Sequence, residues 1–188
     1  RALVVAGAGA CAVELAAATE ALRRSKAVVT VAAAGCGADA RVPCRWGVTV
    51  CADAALADAA PEGDWDLVAL VGGDSADDSA EIAMAKEPAL DAVLAAACAR
   101  AAAAPAAGER RGVLAASGPA CAALVSLAAE NARGGEAVGD DAAENAPIVG
   151  NGTAGDALRW SLRLVEALFD AATAEGVARQ MAVAKGGG

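Results

Sequence analysis

Residues 1–32 read RALVVAGAGACAVELAAATEALRRSKAVVTVA, and this stretch decides the fold. Ala2-Leu-Val-Val-Ala6 is a short apolar run without alternation, the pattern of a strand covered on both faces in a parallel sheet. Gly7 and Gly9 end it. From Val13 to Arg24 the spacing turns helical. Val13, Ala16, Ala17 and Ala21 are assigned to the inner face, while Glu14, Glu20, Arg23 and Arg24 are free to point outward. Ala27–Ala33 is rich in β-branched residues and predicts a second strand. A strand, a helix and a strand in this order make a crossover unit, which sets the two strands parallel.

The same alternation continues along the chain. Gly47–Cys51 predicts a third strand, Asp53–Ala60 a short helix stopped by Pro61, and Asp66–Leu70 a buried strand ended by Val71-Gly72-Gly73-Asp74. Glu87-Pro88 opens a helix that runs to about Ala104, with proline in the first turn where its missing N–H costs nothing. Gly112–Ala116 reads as a strand and Pro119–Glu130 as a helix. Asn131–Asn145 is a polar, glycine-rich surface loop, Pro147–Val149 a short strand, Asn151–Gly155 a turn and Asp156–Asp170 an amphipathic helix. The expected architecture is α/β: a single doubly wound, flavodoxin-like parallel sheet sandwiched by helices. No internal repeat or linker divides it, so residues 1–188 are read as one domain.

Composition narrows the function. The chain is 57% hydrophobic but only 2% aromatic, so small aliphatic residues build its core. A net charge of −9 argues against nucleic acid or an anionic membrane as partner. The longest uncharged run, Gly112–Ala129, has Ser117-Gly118-Pro119 near its centre and reads as strand, turn and helix rather than a membrane span. A strand starting at the first residues leaves no room there for a secretory leader. Six cysteines (Cys11, Cys36, Cys44, Cys51, Cys98 and Cys121) show neither a CxxC pair nor metal spacing, and the chain has no His. No metal site is expected, and the thiols read as reduced, in the cytoplasm or another reducing intracellular compartment.

In doubly wound sheets ligands bind beyond the carboxyl ends of the strands, so the loops that follow strands hold the candidate site. Gly7-Ala-Gly9-Ala-Cys11-Ala12 is a degenerate GxGxxA, but a dinucleotide fingerprint also needs an acidic residue ending the second strand. Ala32–Ala34 stand there instead, so the motif reads first as a close-packing turn. Gly72-Gly73 can turn backbone N–H groups toward a ligand or an oxyanion, or simply form a turn. Ala115-Ala-Ser117-Gly-Pro119-Ala-Cys121 is a sharp strand-to-helix segment of the kind that exposes a nucleophile above a sheet.

Together these motifs resemble the DJ-1/PfpI (ThiJ-like) family, which shares its fold with class I glutamine amidotransferases. The opening strand–helix–strand follows the family's without a gap. VPCRWGVTVCADAAL holds Cys44 and Cys51 in the region of two short strands where some members carry paired cysteines. DWDLVALVGG resembles the aliphatic strand before Pro-Gly-Gly, with Val71 for the proline, and IVGNGTAGDALRWSLRLVEAL resembles the final strand, turn and helix.

The resemblance implies roles. Glu14 falls where the family places a buried, protonated glutamate that bonds its reactive cysteine, and Gly72 and Gly73 match the oxyanion-forming glycines. The family turn reads Ala-Ile-Cys-Ala-Gly-Pro. Aligning Gly118-Pro119 with it puts Ala116 at the nucleophile position, and a shift by one puts Ser117 there. Cys98, in Leu94-Ala-Ala-Ala-Cys98-Ala, is a third option, although no Gly-Pro follows and it reads first as a helix thiol. The family's usual His partner has no counterpart. Two functions follow from the resemblance. One is a cofactor-free, cysteine-type glyoxalase, deglycase or related hydrolase acting on a small carbonyl substrate. The other is a catalytically degenerate member acting as a redox-responsive or chaperone-like protein, with Cys44, Cys51 and Cys98 as redox candidates. A homodimer is implied in either case.

Overall fold

In the computed structural model the described residues are 1–73, 79–102, 112–132, 148–150 and 154–182. The chain forms β1 (Ala2–Gly7), α1 (Ala12–Arg24), β2 (Val29–Ala34), β3 (Arg41–Pro43), β4 (Thr49–Cys51), β5 (Ala54–Ala55) and α2 (Leu56–Ala59). It continues through β6 (Leu67–Val71), α3 (Ser79–Ala85), α4 (Pro88–Ala102), β7 (Val113–Ser117), α5 (Pro119–Ala132), β8 (Ile148–Gly150), α6 (Ala157–Leu168) and α7 (Ala171–Gln180).

One six-stranded sheet runs in the order β5-β2-β1-β6-β7-β8, and every neighbouring pair is parallel. All residues of β1 and β6 are buried, which is why neither strand alternates apolar with polar residues. Helices α1 and α6 pack against each other, as do α4 and α5, in two groups that right-handed crossovers place on opposite faces of the sheet. Leu3, Leu15, Leu22, Leu70, Trp160 and Leu164 are among the largest fully buried side chains. Each such side chain contributes about 1.5–3 kcal/mol of burial free energy.

Three expectations are corrected. The inner face of α1 is Glu14, Leu15, Ala17, Ala18, Ala21 and Leu22, whereas Val13 and Ala16 are exposed. Two leucines bury far more surface than one valine and an alanine, so they set the helix phase. The strand predicted at Gly47–Cys51 is shorter and leaves the main sheet: β4 pairs antiparallel with β3 in a separate hairpin. The last predicted helix stops at Leu168, because the Asp170 carboxylate accepts the Thr173 N–H at 2.7 Å and so caps α7. Helices α3 and α7 add to the predicted set. Most of the loop read at Asn131–Asn145, and the first part of the turn at Asn151–Gly155, lie outside the described residues.

Candidate functional site

The chain lays down β1, moves outward to β2 and β5, then crosses back to build β6, β7 and β8 on the other side. The winding reverses between β1 and β6, so the loops after these two strands diverge around the crevice where such sheets bind ligands. The loop after β1 is Ala8–Cys11, and Gly9 takes a φ of +95° that a side chain rarely tolerates. Its N–H donates to the Pro43 carbonyl at 2.8 Å, and the Arg45 N–H donates to the Ala10 carbonyl at 3.2 Å, pinning the hairpin tip to this loop. The Cys11 N–H spans the reversal point to the Gly72 carbonyl at 2.8 Å. On the other side of Gly72, its own N–H donates to Ser117, to the carbonyl at 3.2 Å and to Oγ at 3.3 Å.

Glu14 lies under this seam. It sits in the first turn of α1, fully buried, and neither carboxyl oxygen has a hydrogen-bond partner among the described residues. Burial pushes its pKa up to about 7. The nearby Ser117 hydroxyl opposes that shift, the negative charge of Asp156 adds to it, and the Cys11 thiol opposes it. The hydroxyl and thiol stand beside the carboxyl without closing a well-formed hydrogen bond. A buried carboxylate without partners is costly, which keeps Glu14 protonated in about half the molecules at neutral pH.

The strand-to-helix turn differs from the motif that predicted it. Ala116 lies inside β7, fully buried and in register with Leu70, and Ser117 ends the strand, also fully buried. The left-handed conformation falls one residue later, at Gly118 with φ +84°. In a nucleophile elbow the strained residue carries the reactive group. Here the strained residue has no side chain.

The structure brings Glu14, Ser117 and Gly72 together, with Gly73 following directly in the chain. Cys44 lies at the tip of the hairpin and Cys51 at its open end, where it is exposed. Cys98 is buried in α4 and Cys121 in α5. No disulfide links any of the six cysteines among the described residues. Sequence reasoning passed over Cys11, which precedes α1 as its N-cap residue and whose thiol lies beside Glu14. The signal available was its place in the glycine-rich loop, three residues before the glutamate. Among the described residues, no group of three or more His, Cys, Asp or Glu side chains is arranged to hold a metal ion, and no helix is long and apolar enough to cross a membrane.

Fold and site define an α/β protein with a doubly wound parallel sheet, a tight strand-to-helix turn and a buried glutamate at the switch point. The chain belongs to the DJ-1/PfpI family, whose model matches residues 1–167. Among solved structures it is similar to oxidized DJ-1 from Toxoplasma gondii, with a TM-score of 0.75 and 21% identity over 98% of each chain. It is also similar to DJ-1beta from Drosophila melanogaster, with a TM-score of 0.72 and 22% identity over 98% of each chain. Schizosaccharomyces pombe DJ-1 gives a TM-score of 0.68 at 13% identity, over 98% of this chain and 100% of that one. No curated protein sequence gave a match.

Proposed function

We propose that this protein is a DJ-1/PfpI family member that responds to oxidants through thiols at the carboxyl rim of its sheet, and that its strand-to-helix turn is degenerate as a catalytic elbow. One observation carries the reading: the left-handed position of the turn is Gly118, and Ala116, which aligns with the family nucleophile, is a side chain with no reactive atom. The Gly72 N–H is engaged by Ser117, so it is not turned toward a substrate oxyanion.

The glyoxalase, deglycase or hydrolase reading comes second. It rests on Ser117 as nucleophile with Glu14 as its base, and the raised pKa of Glu14 favours it, because a base works best when its pKa lies near the operating pH. Against it, Ser117 is fully buried and neither Glu14 oxygen closes a hydrogen bond to its hydroxyl, so the base does not take its proton directly. Six cysteines without a disulfide suit a reducing compartment, and the family resemblance favours a homodimer.

Two rates on the purified chain discriminate the readings. The redox reading expects thiols to be lost to hydrogen peroxide faster than those of free glutathione, with no turnover of an α-oxoaldehyde. Turnover without such thiol loss overturns it.

A further inference from the structure

Three thiols from three different loops are neighbours, with Cys11 and Cys36 both near Cys44. Cys11 comes from the β1–α1 loop, Cys36 from the turn after β2, and Cys44 from the hairpin tip. Backbone hydrogen bonds hold the first and third loops together on either side of Cys44: Gly9 N–H to Pro43 and Arg45 N–H to Ala10. Cys36 donates its Sγ proton to the Ala34 carbonyl at 3.3 Å, and its sulfur lies near the Ala8 backbone. Burial raises the pKa of Cys44, the Val50 backbone opposes that shift, and the nearby Cys11 and Cys36 thiols add to it. Cys11 and Cys36 are half-buried, whereas Cys44 is buried. Beside the Cys11 thiol, Glu14 is fully buried, with both oxygens unpartnered among the described residues.

We infer that Cys11 is the hydroperoxide-reactive thiol of this protein, that Glu14 is its proton donor, and that Cys44 resolves the oxidised Cys11 as a disulfide. This rests on the redox reading above and names the residues that would carry it. In the first step the Cys11 thiolate attacks one peroxide oxygen. The S–O bond forms as the O–O bond breaks, sulfur is oxidised by two electrons and the peroxide is reduced. Glu14 protonates the departing hydroxide to water and regains the proton that Cys11 released. In the second step the Cys44 thiolate attacks the Cys11 sulfenic sulfur. The S–S bond forms, the S–O bond breaks, and the departing hydroxide takes up the proton that Cys44 gave up and leaves as a second water. Half-exposure lets the peroxide reach Cys11, while the buried Cys44 meets only its neighbours.

The test uses the reduced full chain, hydrogen peroxide in slight excess, differential thiol alkylation and peptide mapping without reductant. The expected result is a fast phase that removes two thiols and links the peptides of Cys11 and Cys44. Cys44→Ser should leave a Cys11 sulfenic acid that a 1,3-dione traps. Cys11→Ser should abolish the fast phase, and Glu14→Gln should slow it about tenfold or more without lowering the melting temperature. A fast phase at Cys36 or Cys51 with Cys11 intact overturns this assignment while leaving the redox reading in place. If no thiol outpaces free glutathione, the redox reading fails and this inference fails with it.

Discussion

The Gly72 N–H is shared between the carbonyl oxygen and the side-chain Oγ of Ser117, at 3.2 and 3.3 Å. That fork closes the carboxyl ends of β6 and β7 onto each other. It also fixes the hydroxyl beside the buried carboxyl of Glu14. Replacing Ser117 with alanine leaves the carbonyl branch intact, so the loss in stability should be modest, about 1 kcal/mol. The hydroxyl also holds the Glu14 pKa down, so Ser117→Ala should raise it further. Chemical denaturation and a carbon-detected NMR titration of the Glu14 carboxyl measure the two effects separately.

The raised pKa of Glu14 sets a direction for stability against pH. Its folded value of about 7 lies above the ordinary glutamate value of 4.5, so between these limits the native state holds a proton that the unfolded chain releases. The stabilisation is therefore complete below about 4.5 and is lost as pH rises through 7, by about 3 kcal/mol in all. Urea unfolding from pH 5 to pH 8 should show this decline in the wild type. In Glu14→Gln, which cannot ionise, this component of the decline should vanish.

Gly118 should resist substitution. A β-carbon in the left-handed conformation costs roughly 1–2 kcal/mol, so Gly118→Ala should lower the unfolding free energy by about that amount. Equilibrium denaturation of the variant checks it, with an unchanged m-value expected because the fold is retained.

The phase of α1 gives a paired test. Leu15 is fully buried and Val13 is half exposed to solvent, at 52%. Leu15→Ala should cost about 2–5 kcal/mol, whereas Val13→Ser should stay within about 0.5 kcal/mol. Thermal melts of the two variants side by side would reveal a rotated helix as a reversal of that order.

Most of the scaffold was legible in the sequence because its signals are local. The apolar runs at Ala2–Ala6 and Asp66–Leu70, and the helical spacing between the strands, gave the parallel sheet and its order of elements. The hairpin escaped because an isolated three-residue strand looks the same whether it joins the main sheet or a partner of its own. The phase of α1 escaped because the alanines that dominate it mark no face. At the site, the buried position of Glu14 was implied only by the family resemblance, since helical spacing left it free to point outward. Cys11 was passed over, since its approach to Cys44 depends on hydrogen bonds between loops more than thirty residues apart in the chain. Nor could the sequence say which residue of Ala116-Ser117-Gly118 takes the left-handed turn, because that choice rests on backbone dihedrals.

The central claim is that this family member works through rim thiols and not through its strand-to-helix turn. It is tested most directly by measuring hydroxyacid formation from a small α-oxoaldehyde such as methylglyoxal, with the wild type and Ser117→Ala assayed in parallel. No product above the protein-free blank is expected for either chain. Turnover by the wild type that disappears in Ser117→Ala would contradict it.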